Sequence, residues 1–178
     1  MKIAVTQRQL TIRGITYDCL EQGWFRFLRG HELIPIPNIP NIDVDVDMIV
    51  FTGGDISDDR EQTERMLFDY AIKNNLPMLG VCHGAFFLNR MHDGNNQSIL
   101  GHQNTDHPVK IGKDFYIVNS YHSGCIFELG DNLDAFAWAD DFVEGFKHQT
   151  LPIWGLVWHP ERMERPIIPQ DLKDLLYG

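Results

Sequence analysis

Three short stretches carry residue types that could act together on a carbonyl group. Residues 80–84 read GVCHG and set one thiol, Cys82, between Gly80 and Gly84. Residues 158–161 read WHPE and place His159 two positions before Glu161. Residues 51–55 read FTGGD, where two glycines close an apolar run. A thiol attacks as its thiolate and so needs a base, and a carboxylate beside an imidazole fixes its tautomer and stabilises the imidazolium. Pro160 is expected to hold its stretch extended, so that His159 and Glu161 project to one side at the strand period of two. Paired glycines after a buried strand let backbone amides turn inward, as an oxyanion-binding loop requires. Each stretch has an ordinary alternative. Free cysteine is among the most buried residue types, a His-Glu pair can sit on the surface, and a glycine pair can simply end a strand. A phosphate loop does not fit FTGGD, because no G-K-[ST] follows and the next residues are acidic.

The surrounding elements decide how these residues are presented. KIAVT (2–6), 33–36, MIVFTGG (48–54) and PMLGVC (77–82) read as strands, the last two as continuous apolar runs suited to burial on both faces. Helical spacing predicts helices over 16–29, with Cys19, Leu20, Trp24, Phe27 and Leu28 on one face, and over 60–74. A further helix continues from HGAFFLNRMH, and residues 170–177 close the chain as another. Strand and helix in alternation imply parallel pairing and an α/β fold. The second half changes character: 107–111, 115–120, 134–139, 143–148 and 152–159 are short strands separated by turn residues, a smaller antiparallel portion. In open α/β sheets ligands sit beyond the carboxyl ends of the strands, where Cys82 falls. A cysteine there, on a sharp strand-to-helix turn with small neighbours, is the thiol version of the G-x-S-x-G elbow. Gln7 and Arg8 follow the first strand and lie within a substrate's reach.

The bulk properties set bounds. The chain of 178 residues fits one domain, 1–178, and its 43% hydrophobic content is that of a globular protein. A formal net charge of −10, with Lys and Arg nowhere concentrated, argues against nucleic acid or an anionic membrane as the main partner. The first residues lack an apolar stretch of signal-peptide length, and no run approaches a membrane span. Cys19, Cys82 and Cys125 are too few and too scattered for a disulfide framework. A soluble, reduced, cytoplasmic protein is the expectation.

In this order and spacing, FTGGD, GVCHG, VNSYH (118–122) and WHPE together resemble the class I glutamine amidotransferases and their γ-glutamyl hydrolase relatives. The resemblance implies that family's flavodoxin-like architecture, with a mostly parallel central sheet flanked by helices. It implies Cys82 as nucleophile, His159 as base and Glu161 as its partner. The amides of Gly54 and His83 would form the oxyanion hole, and Gly53, Phe86, Asn119, Ser120, Tyr121 and His122 would line the substrate. No cofactor is implied. Two positions depart from the family's pattern: Phe86 and Val157 stand where ammonia-delivering members commonly carry Gln, which points to an altered γ-glutamyl substrate. KIAVTQR, the PIPN loop, NSYHSGC and WHPER look more like stand-alone γ-glutamyl hydrolases. One branch of these acts on nucleotide-linked glutamine conjugates in surface-polysaccharide pathways. A glutaminase subunit serving a separate synthetase keeps the same chemistry but is not favoured. A silent binding domain of the same fold is the remaining alternative, weakened because all three chemical positions hold competent residues.

Other candidates are weaker. His102, His107, His122 and His148 show neither H-x-x-x-H spacing nor a nearby cysteine pair, so no metal site is expected. DVDVD (43–47) lacks the glycine and the glutamate of a calcium loop. Cys125 follows no long buried strand and is read as structural, Cys19 as core. Trp154 and Trp158 are expected to pack the last strand, with Trp158 a candidate for the pocket wall.

Overall fold

The computed structural model describes residues 1–40, 43–98 and 103–178. Its strands are β1 (Lys2–Thr6), β2 (Arg8–Ile12), β3 (Ile15–Cys19), β4 (Glu32–Ile36), β5 (Met48–Phe51), β6 (Met78–Val81), β7 (Asn95–Ser98), β8 (Gln103–Ile111), β9 (Asp114–Tyr121), β10 (Gly124–Glu128), β11 (Leu133–Ala139), β12 (Phe142–His148) and β13 (Ile153–Leu156). The α-helices are α1 (Gln22–Phe27), α2 (Asp58–Asn74), α3 (His83–Met91) and α4 (Gln170–Tyr177), and Pro160–Arg162 forms one 3₁₀ turn.

Strands β4-β1-β5-β6-β13 lie side by side and parallel, and the sheet continues antiparallel through β12-β11-β8-β9. The expected α/β architecture is what the chain adopts. Because the five parallel strands share one direction, Thr6, Phe51, Val81 and Leu156 end on the same sheet edge, and the chain segments after them converge there. Every residue of β5, β6 and β13 is buried. Two apolar clusters cover the two sheet faces, one around Trp24, Leu28, Trp158 and Leu172, the other around Phe51, Leu67, Phe87 and Phe146.

Three local expectations change. The helix expected over 16–29 is instead a hairpin and a short helix: β2 pairs antiparallel with β3, register Ile12↔Ile15, and α1 spans six residues. Arg13 and Gly14 both have positive φ, 52° and 78°, which is the geometry that closes a two-residue hairpin. Ile15, Thr16 and Tyr17 favour a strand. Cys19 therefore ends β3 half-buried rather than packing a helix. Strands β7 and β10 were not legible, since NNQS has no apolar alternation and β10 sits directly after a turn. The last strand stops at Leu156, short of His159. Among the described residues no helix is long and apolar enough to cross a membrane.

Candidate active site

Cys82 ends the buried run of β6 and caps α3 with φ 53° and ψ −107°. A non-glycine residue held there stores roughly 1–3 kcal/mol of backbone strain, and such outliers cluster at working sites. Hydrogen bonds from Cys82 N to the Leu156 carbonyl (2.8 Å) and from Phe86 N to the Cys82 carbonyl (3.1 Å) hold it in place. A Cβ on Gly84 would collide with the carbonyl of Phe51, so β5 and the start of α3 can touch only with glycine there. The first amides of α3, beginning with His83, have no partner within the helix and so are available at Cys82.

His159 and Glu161 meet around a turn, not along a strand. Pro160 begins the 3₁₀ turn, where its fixed φ is already suited to helical geometry, and the bend brings Glu161 Oε1 to 2.6 Å from His159 Nδ1. The extended stretch expected from Pro160 is thus corrected, while the two side chains still come together. Asn119 clamps the backbone between them: its Nδ2 donates to the His159 carbonyl (2.9 Å) and its Oδ1 accepts from His159 N (2.8 Å). Gly53 is wedged beside the ring, where an added Cβ would lie 2.5 Å from His159 Cε1 and 3.4 Å from Cys82 Cβ. Burial works against the charged ring, but hydrogen bonding and charge from Cys82 and Glu161 outweigh it and raise the His159 pKa to about 9.

A buried charged network, not legible in the sequence, joins the glycine turn to the elbow. Arg60 on α2 donates from Nη2 to the Thr52 carbonyl (2.6 Å) and from Nε to Glu64 Oε1 (2.9 Å). The other carboxylate oxygen of Glu64 lies 2.7 Å from His83 Nε2, and Thr6 Oγ1 donates to Oε1 (3.1 Å). Arg60 and Glu64 are fully buried. Burial alone would raise the Glu64 carboxyl, but the His83 hydrogen bond and the Arg60 charge hold it below its ordinary value. One ion pair thereby fixes three strand ends: Thr6 as the last residue of β1, Thr52 after β5, and His83 after β6. The i, i+4 spacing of Arg60 and Glu64 was the only available signal, and on a helix that spacing normally marks a solvated pair.

The site opens into a cleft of about 900 Å³ lined by Gly54, Cys82, His83, Phe86, Tyr121, His122 and His159. Gly54 has φ 135°, which only glycine adopts at ease. Tyr121 packs edge-on against His159, centroids 5.6 Å apart, and the Arg162 guanidinium lies 4.5 Å over its ring. Ser120 is fully buried, and Asn119 reaches the His159 backbone instead of the cleft. Arg8 lines the cleft as expected, whereas Gln7 turns to the Asp18 carbonyl. Arg90 and Arg162 also line it, and sequence reasoning did not single them out. Trp158 is excluded from the wall: it is fully buried and donates to the Ile167 carbonyl. Cys125 is buried in β10, and burial pushes its thiol up. Of the histidines weighed for metal, His102 lies outside the described residues, and His148 accepts from the amides of Thr150 and Leu151. His107 and His122 converge on Glu144, an arrangement that linear spacing could not reveal because the three residues come from different parts of the antiparallel wing.

The chain was compared with known proteins. The model of the family Glutamine amidotransferase class-I matches residues 28–177. The γ-glutamyl-CDP-amidate hydrolase of Campylobacter jejuni is 27% identical, over 91% of this chain and 90% of that protein. The carbamoyl phosphate synthase small chain of Clostridium perfringens is 27% identical over 70% of this chain, but the match spans only 37% of that protein. Among solved structures, a glutamine amidotransferase from Thermotoga maritima superposes with a TM-score of 0.72 at 14% identity, covering 90% of this chain and 76% of that one. A chain of PurLQS from the same organism superposes with a TM-score of 0.68 at 13% identity, covering 90% and 88%. At these identities the structural likeness speaks for the fold.

Proposed function

The chain belongs to the class-I glutamine amidotransferase family, and from that premise we propose that it is a cysteine amidohydrolase of γ-glutamyl amides. The observation that carries the reading is the placement of His159 between Glu161, at 2.6 Å, and the Cys82 side of the Gly53 wedge.

In the proposed reaction the Cys82 thiolate attacks the γ-carbonyl, whose carbon becomes tetrahedral as the C=O π electrons move onto oxygen. Amides of Gly54 and His83 hold the oxyanion. The His159 imidazolium donates its proton to the departing amine, which leaves behind a γ-glutamyl thioester. Neutral His159 then takes a proton from water, the hydroxide attacks the thioester, and glutamate departs as the thiolate reforms. Glu161 holds the ring through Nδ1 throughout, and Asn119 keeps its backbone from shifting.

The leaving group we favour is large and anionic, as in a nucleotide-linked glutamine conjugate of surface-polysaccharide synthesis. The cleft far exceeds a glutamyl group in volume, and Arg8 on its wall suits phosphate oxygens, with Arg90 and Arg162 beside it paired to Glu61 and Glu21. Phe86 replaces an amide side chain with an apolar ring on that same wall. The test is a screen of γ-glutamyl compounds scored by glutamate release. Substituted, phosphate-bearing amides should be turned over by the chain alone, and Cys82→Ala should lose at least about 10⁴-fold in rate with an unchanged circular dichroism spectrum. Free glutamine as the best substrate, and only after a synthetase is added, would point instead to an ammonia-delivering subunit.

A further inference from the structure

The antiparallel wing brings together three side chains for which the proposed reaction has no use. His107 stands on β8, His122 directly after β9, and Glu144 on β12. His107 Nε2 lies 3.9 Å from Glu144 Oε2, and His122 Nε2 lies 3.7 Å from Glu144 Oε1. One donor atom from each of the three falls within 4.8 Å of the others. The side chains of His122 and Glu144 are 1% exposed and that of His107 is 14% exposed.

The far sides of the two rings indicate which atoms are offered inward. His122 Nδ1 lies 2.7 Å from the Gly124 carbonyl, and His107 Nδ1 lies 3.3 Å from the Pro108 carbonyl. A carbonyl oxygen only accepts, so in a neutral ring the proton sits on Nδ1 and Nε2 turns a lone pair toward Glu144. Metal-bound histidines are held in this way, with the non-ligating nitrogen donating to a carbonyl or carboxylate. Two lone pairs and a carboxylate facing one another call for a proton or a metal cation between them. Donors around a tetrahedral zinc stand about 3.4 Å apart, given Zn–N and Zn–O bonds of about 2.0–2.1 Å, so the observed separations need only small side-chain rotations.

We propose that His107, His122 and Glu144 form a site for a divalent transition-metal ion, with zinc best matched to two imidazoles and a carboxylate. The ion would tie β8, the end of β9 and β12 together. Its His122 ligand also lines the cleft and packs against Phe86, centroids 6.1 Å apart, so the ion would brace that wall. This site does not depend on the amidohydrolase reading.

The test uses the full chain carrying Cys82→Ser, stripped with a chelator, so that the candidate nucleophile cannot bind metal. Calorimetric titration with Zn²⁺ should give one equivalent per chain, and Glu144→Gln and His107→Ala should each weaken binding at least about tenfold. X-ray absorption at the zinc edge of the parent should show two imidazoles with oxygen donors, and this readout does not depend on any variant folding. No binding by the parent, undiminished affinity in both variants, or a coordination sphere containing sulfur or fewer than two imidazoles would each overturn the site.

Discussion

Between Cys82 and Glu161 the His159 ring is buried yet carries a proton more firmly than a free imidazole, with a pKa raised to about 9. The ordinary value is about 6.5, so its contribution to stability is complete below that pH and is lost as pH rises through about 9. Two outcomes follow at this scale. Hydrolysis should fall as pH rises through about 9, because neutral His159 cannot protonate the leaving amine. An NMR titration should place the His159 midpoint near 9 and move it downward in Cys82→Ala; an unmoved midpoint would remove Cys82 from the ring's environment. Glu161→Gln keeps the shape but gives up the charge that orients Nδ1, and it should lower the rate by on the order of 10²–10⁴-fold while His159 titrates lower. These residues were legible because a thiol, an imidazole and a carboxylate are chemically distinctive wherever they stand. The route by which His159 and Glu161 meet was not legible, since Pro160 is compatible with both an extended chain and the first position of a 3₁₀ turn.

The elements are arranged to bring strand ends to one edge, and the Arg60–Glu64 pair secures that arrangement. Both side chains are fully buried, so removing one leaves the other without its counter-charge. Arg60→Leu should destabilise the fold by about 3–5 kcal/mol in urea unfolding. It should also slow turnover, because the Thr52 carbonyl loses its donor beside the glycine turn. A loss under about 1 kcal/mol would mean that the network does not hold the turn. The parallel strands were readable because strands buried on both faces are continuous apolar runs, as in MIVF and PMLGV. The hairpin after β1 was not readable. Cys19, Leu20, Trp24, Phe27 and Leu28 recur at helical spacing, and only the paired positive φ of Arg13 and Gly14 reveals the hairpin before them. Strand β7 owes its place to pairing with β10, which is a tertiary effect with no local signal.

For the whole molecule, the parallel half supplies Cys82, Gly54 and His159, while the antiparallel wing supplies Asn119, Tyr121 and His122. The cleft lies where the two meet, so its shape depends on contacts distant in sequence, and Arg90 and Arg162, unlike Arg8, could not be picked out in advance. Arg8→Gln should therefore raise KM for a phosphate-bearing γ-glutamyl amide and leave a neutral γ-glutamyl amide little changed, as read from steady-state kinetics on the two compounds. Equal effects on both would place the anionic group elsewhere. The central claim is covalent catalysis by Cys82, and the most direct test is rapid acid quench of a turning-over reaction followed by mass spectrometry of the intact chain and its peptides. The account predicts a γ-glutamyl adduct confined to the peptide bearing Cys82, accumulating in Glu161→Gln and missing in Cys82→Ala. Turnover with no adduct on that peptide, or an adduct on Cys19 or Cys125 instead, would contradict it.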